Sequence, residues 1–192
     1  MNDHKLERLS SVAAGETPDE GISVDSGEAR TLCGDLDIRI DRDANWFYHG
    51  TPIGRKELVR LFASVLKRDA AGDYWLETPA EKARIQVDDA PFAAVEMTVE
   101  GAGKSQRVVF RTNVDENVMA DADHPVRIET DPETGEPSPY VLVRDGLEAR
   151  LTRAVYYDLV DHGVEATIEG VRKYGIWSAG SFFPIGEADQ PC

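Results

Sequence analysis

Thr51-Pro52-Ile53-Gly54-Arg55-Lys56-Glu57-Leu58-Val59-Arg60-Leu61-Phe62-Ala63-Ser64-Val65-Leu66 reads as an amphipathic helix, and its reading decides the fold. Leu58, Leu61, Phe62, Val65 and Leu66 recur at i, i+3, i+4, i+7 and i+8, the spacing that puts one apolar stripe on a helix. Thr51 is placed to cap it and Pro52 to open its first turn. The end of a helix that exposes unpaired N–H groups carries about half a positive charge and normally attracts acids. Here Arg55, Lys56 and, one turn on, Arg60 stand there instead. Clustered cations at a positive pole point to an anion such as phosphate or carboxylate. A solvated helix face carries the same pattern.

Working outward, Leu36, Ile38 and Ile40 alternate with Asp37, Arg39 and Asp41 as a half-buried strand does, and Trp46-Phe47-Tyr48 forms a second short strand before the helix. After the helix and the Asp69–Gly72 turn come strands at 74–77, 83–87, 93–100 and 107–112, the last two joined by the Gly101-Ala102-Gly103 turn. Residues 113–138 are acidic and turn-rich, with Pro125, Pro132 and Pro137, and a boundary is expected near Gly135. Beyond it the order recurs. Tyr140–Val143 reads as strand, Leu147, Leu151, Val155 and Leu159 as a helix capped by Asp145 and Glu148, and 164–168, 175–178 and 181–185 as closing strands. Laying Phe47 on Tyr140 gives three identities in 20 pairs, a match of pattern. The expected class is α+β: two similar halves, each a helix packed on a mainly antiparallel sheet. The expected division is a mobile N-terminal segment over 1–32, an N-terminal domain over 33–135 and a C-terminal domain over 136–192.

Composition narrows the function. The 192 residues carry 36 acids against 21 Lys and Arg, a net charge of −15 that repels polyanions, so no nucleic-acid partner is expected. No apolar run approaches the roughly 20 residues that cross a bilayer, and no secretory leader is read at the N-terminus. The expected compartment is the cytoplasm. Cys33 and Cys192 lie far apart without metal spacing and read as free thiols.

Several stretches together resemble a bacterial family, domain-of-unknown-function family 1285: 46–67, 74–81, Asp89-Ala90-Pro91-Phe92, 112–127, 140–160 and 175–186. The resemblance covers nearly everything from Cys33 to Gly186. It implies a duplicated domain, a C-terminal half like the pleckstrin-homology (PH) superfold, a nucleotide-like ligand between the halves and a role in signalling. It implies no reaction.

The candidate ligand-binding residues fall into groups. Thr51, Arg55 and Lys56 would hold a phosphate, with Trp46 or Tyr48 as a stacking face and His49 beside them as an acid or base. Arg144, Arg150 and Arg153 form a second basic group on the matching element of the other half, and His124 with Arg127 could touch the same ligand. Trp177, in Trp177-Ser178-Ala179-Gly180-Ser181-Phe182-Phe183, offers a stacking surface beside small residues. Thr112, Asn113, Asp115, Asp121, Asp123 and His124 invite a metal, but the spacing lacks the central glycine and closing glutamate of a calcium loop, so no metal and no cofactor is assigned. His49, Asp115 and Ser178 have the residue types of a hydrolytic triad without a nucleophile elbow, so no catalytic residue is assigned. The sequence therefore favours a non-enzymatic signalling protein that binds an anionic small molecule between two halves. A protein-interaction module is the alternative, and a hydrolase or transferase using His49 or His124 comes third.

Overall fold

The structure is a computed structural model and describes residues 31–187. The expected mobility of 1–32, residues 31 and 32 apart, and the free-thiol reading of Cys33 and Cys192 lie outside what it describes.

The N-terminal half runs β1 (Thr31–Ile40), β2 (Trp46–Tyr48), β3 (Thr51–Pro52), α1 (Lys56–Ser64), β4 (Leu66–Arg68), β5 (Tyr74–Glu77) and β6 (Glu81–Val87). The remainder runs β7 (Phe92–Glu100), β8 (Arg107–Thr112), β9 (Asn117–Met119), β10 (Val126–Thr130), β11 (Pro137–Arg144), β12 (Leu147–Leu151), α2 (Arg153–Asp161), β13 (Val164–Ile168), β14 (Val171–Ser178) and β15 (Ser181–Glu187). The architecture is mixed α+β, with two sheet-rich halves and two helices among the described residues.

The first sheet has the order β3-β2-β1-β6-β5-β4, and the second, read from its β9 edge, has β9-β8-β7-β12-β11-β10. Subtracting six from the second gives the first. Each half is thus two three-stranded antiparallel meanders joined along a parallel seam, β1 on β6 and β12 on β7. Alternation selects the strand faces: Ile38 and Ile40 are buried while Asp37 and Arg39 point outward. One continuous apolar cluster runs through both halves, from Ile38 to Ile185.

Three expectations are corrected. Gly135 lies in the β10–β11 hairpin turn, where Gly135 N–H bonds Asp131 O at 2.8 Å, so a boundary there would cut a paired hairpin. The division between sheets falls instead in 88–91, between β6 and β7. Second, Leu147 and Leu151 belong to strand β12, where Leu147, Ala149 and Leu151 are all buried. A four-residue spacing satisfies a period of two as well as a helix. Asp145-Gly146 forms the left-handed hairpin turn before β12 (φ 44° and 75°) and caps no helix. The repeat therefore maps β1–β6 on β7–β12 and not one helix on the other. Third, α1 is shorter than expected. It starts at Lys56, with Arg55 as its N-cap residue, Thr51 lies in β3, Leu66 already pairs with Leu76 in β4, and Leu61 is exposed.

β13, β14 and β15 form a third sheet that meets the second through β10 and β8. Ser178 joins these layers. Its Oγ accepts from Val108 N–H at 2.9 Å and donates to Ala120 O at 2.6 Å, fully buried. That commitment removes it as a nucleophile. Ser178→Ala should cost about 1–3 kcal/mol, the penalty for stranding buried backbone groups, measured as a lower urea midpoint at unchanged m-value.

Candidate functional site

The parallel seams decide where the halves meet. Because β1 and β6 run the same way, Ile40 pairs with Val87, so the turn leaving β1 lies beside the 88–91 linker. β12 ends against the start of β7, with Leu151 paired to Ala94 and Thr152 N–H bonded to Ala94 O at 3.0 Å. The linker therefore draws the carboxyl end of β1 towards the carboxyl end of β12. Between them opens a cleft of about 670 Å³, lined by Arg42 and Asp43 from the first half and by Arg150, Thr152, Arg153, Tyr156 and Tyr157 from the second, with Glu136, Pro137 and Pro139 on a further wall. Three arginines and two acids line it, and a third acid, Asp89, is paired with Arg150, so that arginines are concentrated there in a strongly acidic chain.

Each arginine is held differently. Arg150 Nη1 donates to Asp89 Oδ2 at 2.9 Å and its Nη2 to Ser138 Oγ at 3.3 Å. Asp89 in turn accepts from Tyr140 O–H at 2.8 Å. Burial and then this bond to a carboxylate push the Tyr140 phenol up to about 12. Arg153 Nε donates to the Tyr157 hydroxyl at 3.0 Å, and its guanidinium lies 5.5 Å from that ring's centroid, a helical i, i+4 pairing. Arg42 has no ion-pair partner among the described residues; at longer range it helps hold the Asp88 carboxyl below the usual range, behind the hydrogen bond from Arg39.

Arg153 is also the first residue of α2. Thr152 makes no side-chain cap there, and the first turn holds no acid, whereas α1 carries Glu57 in its first turn. Both helices thus start on a basic residue without a side-chain cap, and only α2 lacks a first-turn acid as well.

The α1 cations are already matched. Asp115, on the β8–β9 turn of the other half, pairs with Arg60, with Lys56 Nζ at 3.3 Å and with Arg111 Nη1 at 2.9 Å. Arg55 is exposed with no partner among the described residues, and Thr51 is exposed on β3. Trp46 is a core residue stacked on Phe62 at 6.1 Å, its buried indole N–H unpartnered. Tyr48 packs on His49 at 4.2 Å, and His49 Nδ1 lies 2.8 Å from Asp37 Oδ2 at the surface. His124 closes an Asx turn, its N–H and Nδ1 both on Asp121 Oδ1. Arg127 is clamped by Glu148 at 2.6 Å and by Glu129, and lies over Tyr140. Arg144 pairs with Glu116 and donates to Ala63 O at 2.8 Å. Trp177 lies under Lys104 and against Phe182.

Of the twelve predicted residues the cleft gathers Arg150 and Arg153. It adds Arg42, Tyr156 and Tyr157, which the sequence reading missed. The tyrosines were legible as the i+3 and i+4 neighbours of Arg153; Arg42 has no local signal, because only the seam brings it there.

Sequence and structure comparisons agree on the class. Two family models match, the N-terminal domain of DUF1285 over residues 29–90 and the C-terminal domain of DUF1285, described as a protein of unknown function, over 91–185. The chain belongs to the DUF1285 family. A crystal structure of a DUF1285 family protein from Silicibacter pomeroyi DSS-3 is similar at 45% identity and TM-score 0.77, covering 93% of this chain and 94% of that one. Another, from Shewanella baltica OS155, is similar at 29% identity and TM-score 0.51, covering 66% and 91%. No curated protein is detectably similar. No described helix is long and apolar enough to cross a membrane.

The raised Tyr140 phenol gives a pH test of the Tyr140–Asp89–Arg150 support. The folded state holds this proton more tightly than the unfolded chain, so its contribution is complete below about pH 10, the ordinary tyrosine value, and is lost as pH rises through about 12. Tyrosinate absorbance of the folded protein should show a late step near pH 12 that Tyr140→Phe removes.

Proposed function

We propose that this protein is a non-enzymatic binder of an anionic, nucleotide-like small molecule, held in the cleft between its two halves. The observation that carries the reading is the convergence of Arg42, Arg150 and Arg153 from both halves on the uncapped start of α2. A phosphate group seated there would take the guanidinium N–H donors and the free backbone N–H groups of the first turn. Tyr156 and Tyr157, with Pro137 and Pro139 in the same lining, supply apolar surface for the body of the molecule. The cleft volume lies within the range of small-molecule sites.

A ligand that touches Arg42 on one half and Arg153 on the other couples the halves, which suits a role in signal transduction. The PH-like character of the C-terminal half and a cytoplasmic setting belong to the same reading, carried over from the family resemblance. The anion site first read at α1 moves, in this proposal, to α2.

A thermal-shift series with nucleoside mono-, di- and triphosphates tests it. A true ligand at a hundred times its Kd stabilises the fold by about 2.7 kcal/mol. Arg153→Glu should abolish the shift and Arg42→Ala should reduce it, both positions being at the surface. Absence of any shift in the native protein, or an equal shift in Arg153→Glu, would overturn the proposal.

A further inference from the structure

We infer that Lys56, Arg60 and Arg111 form a second oxyanion site, distinct from the α2 cleft, which the chain fills with its own Asp115. One carboxylate receives three cations there: Arg60 and Lys56 on Oδ2, the latter at 3.3 Å, and Arg111 on Oδ1 at 2.9 Å. The only other acid in contact with these cations among the described residues is Glu96, which accepts from Arg111 Nε at 2.7 Å. Without Asp115 the group would hold three positive charges against one negative. Asp115 reaches it from a tight turn, its N–H on Thr112 O at 2.9 Å, with a left-handed backbone at φ 63° of the kind aspartate adopts in turns. A cavity of about 370 Å³ opens beside it, lined by Arg60, Ser64, Asp115, Glu116 and Arg144. The carboxylate therefore stands at the wall of a cavity and has space to leave.

The competing species is a dianionic oxyanion of the phosphate class. A monovalent carboxylate faces an intramolecular rival at high effective concentration. A phosphate brings a second charge and a third oxygen, one for each cation. Its entry would free Asp115 and release the contact between α1 and the β8–β9 turn, so that occupancy is reported as a loosened join between the halves.

Inorganic phosphate is the probe, against chloride at equal ionic strength. In the native protein it should raise amide exchange over residues 112–117, whereas occupation of the α2 cleft protects 152–155. Asp115→Ala and Asp115→Asn should bind phosphate at least tenfold more tightly than the native protein, by calorimetry. Adding Lys56→Ala and Arg60→Ala to Asp115→Ala should erase that gain. The inference is overturned if phosphate leaves exchange over 112–117 unchanged in the native protein, if neither Asp115 variant gains affinity, or if the gain survives loss of Lys56 and Arg60.

Discussion

The parallel pairing of the first strand of each six-stranded sheet with its sixth, β1 on β6 and β7 on β12, is the constraint from which the rest follows. Antiparallel meanders alone would leave four separate three-stranded ribbons. The seam fuses them two by two, gives both halves the same strand order, and places the ends of β1 and β12 on either side of the short 88–91 linker. Binding clefts of open parallel sheets lie beyond the carboxyl ends of their strands. The cleft proposed here as a binding site has the corresponding place, between two sheets that are otherwise antiparallel.

The seam also sorts the charges. On the α1 flank the halves are tied by opposite charges and carbonyl contacts: Asp115 on Lys56 and Arg60, Asp145 on Lys67, and Ala63 O and Gly146 O on Arg144 and Arg68. Exposed pairs of this kind contribute little individually, about 0–1 kcal/mol, and screen with salt. The apolar cluster that runs through both halves carries the adhesion, and the ion pairs fix register. On the α2 flank the arginines are positioned by Asp89 and Tyr157 without being neutralised to the same degree.

How far the sequence could be read follows from the range of each signal. Strands with a clean period of two, such as Leu36-Ile38-Ile40, and those bounded by turn residues, such as Tyr74–Glu77, were legible because their determinants are local. Leu147 and Leu151 were not, since their spacing fits helix and strand alike and only the parallel partner β7 decides between them. Val126-Arg127-Ile128-Glu129-Thr130 alternates well enough to be a strand, but the prolines and acids around it masked β10. The basic start of α1 was legible as a cluster of cations, but the carboxylate that folding brings to it was not. Its counter-ion, Asp115, lies over 50 residues away and arrives only through the fold. Arg150 and Arg153 were legible by composition; Arg42 was not, because nothing near it in the chain announces a seam formed by residues 31–40 and 81–87.

The central claim is that the seam builds one anion cleft from both halves. The most direct measurement is a map of backbone amide shifts in isotope-labelled protein titrated with a nucleoside phosphate. The account predicts concerted, saturable shifts at Arg42 and Asp43 in the first half and at Thr152–Ala154 in the second, fitting one dissociation constant. Shifts confined to one half, or a saturable response that leaves Arg42 and Arg153 unmoved, would contradict it.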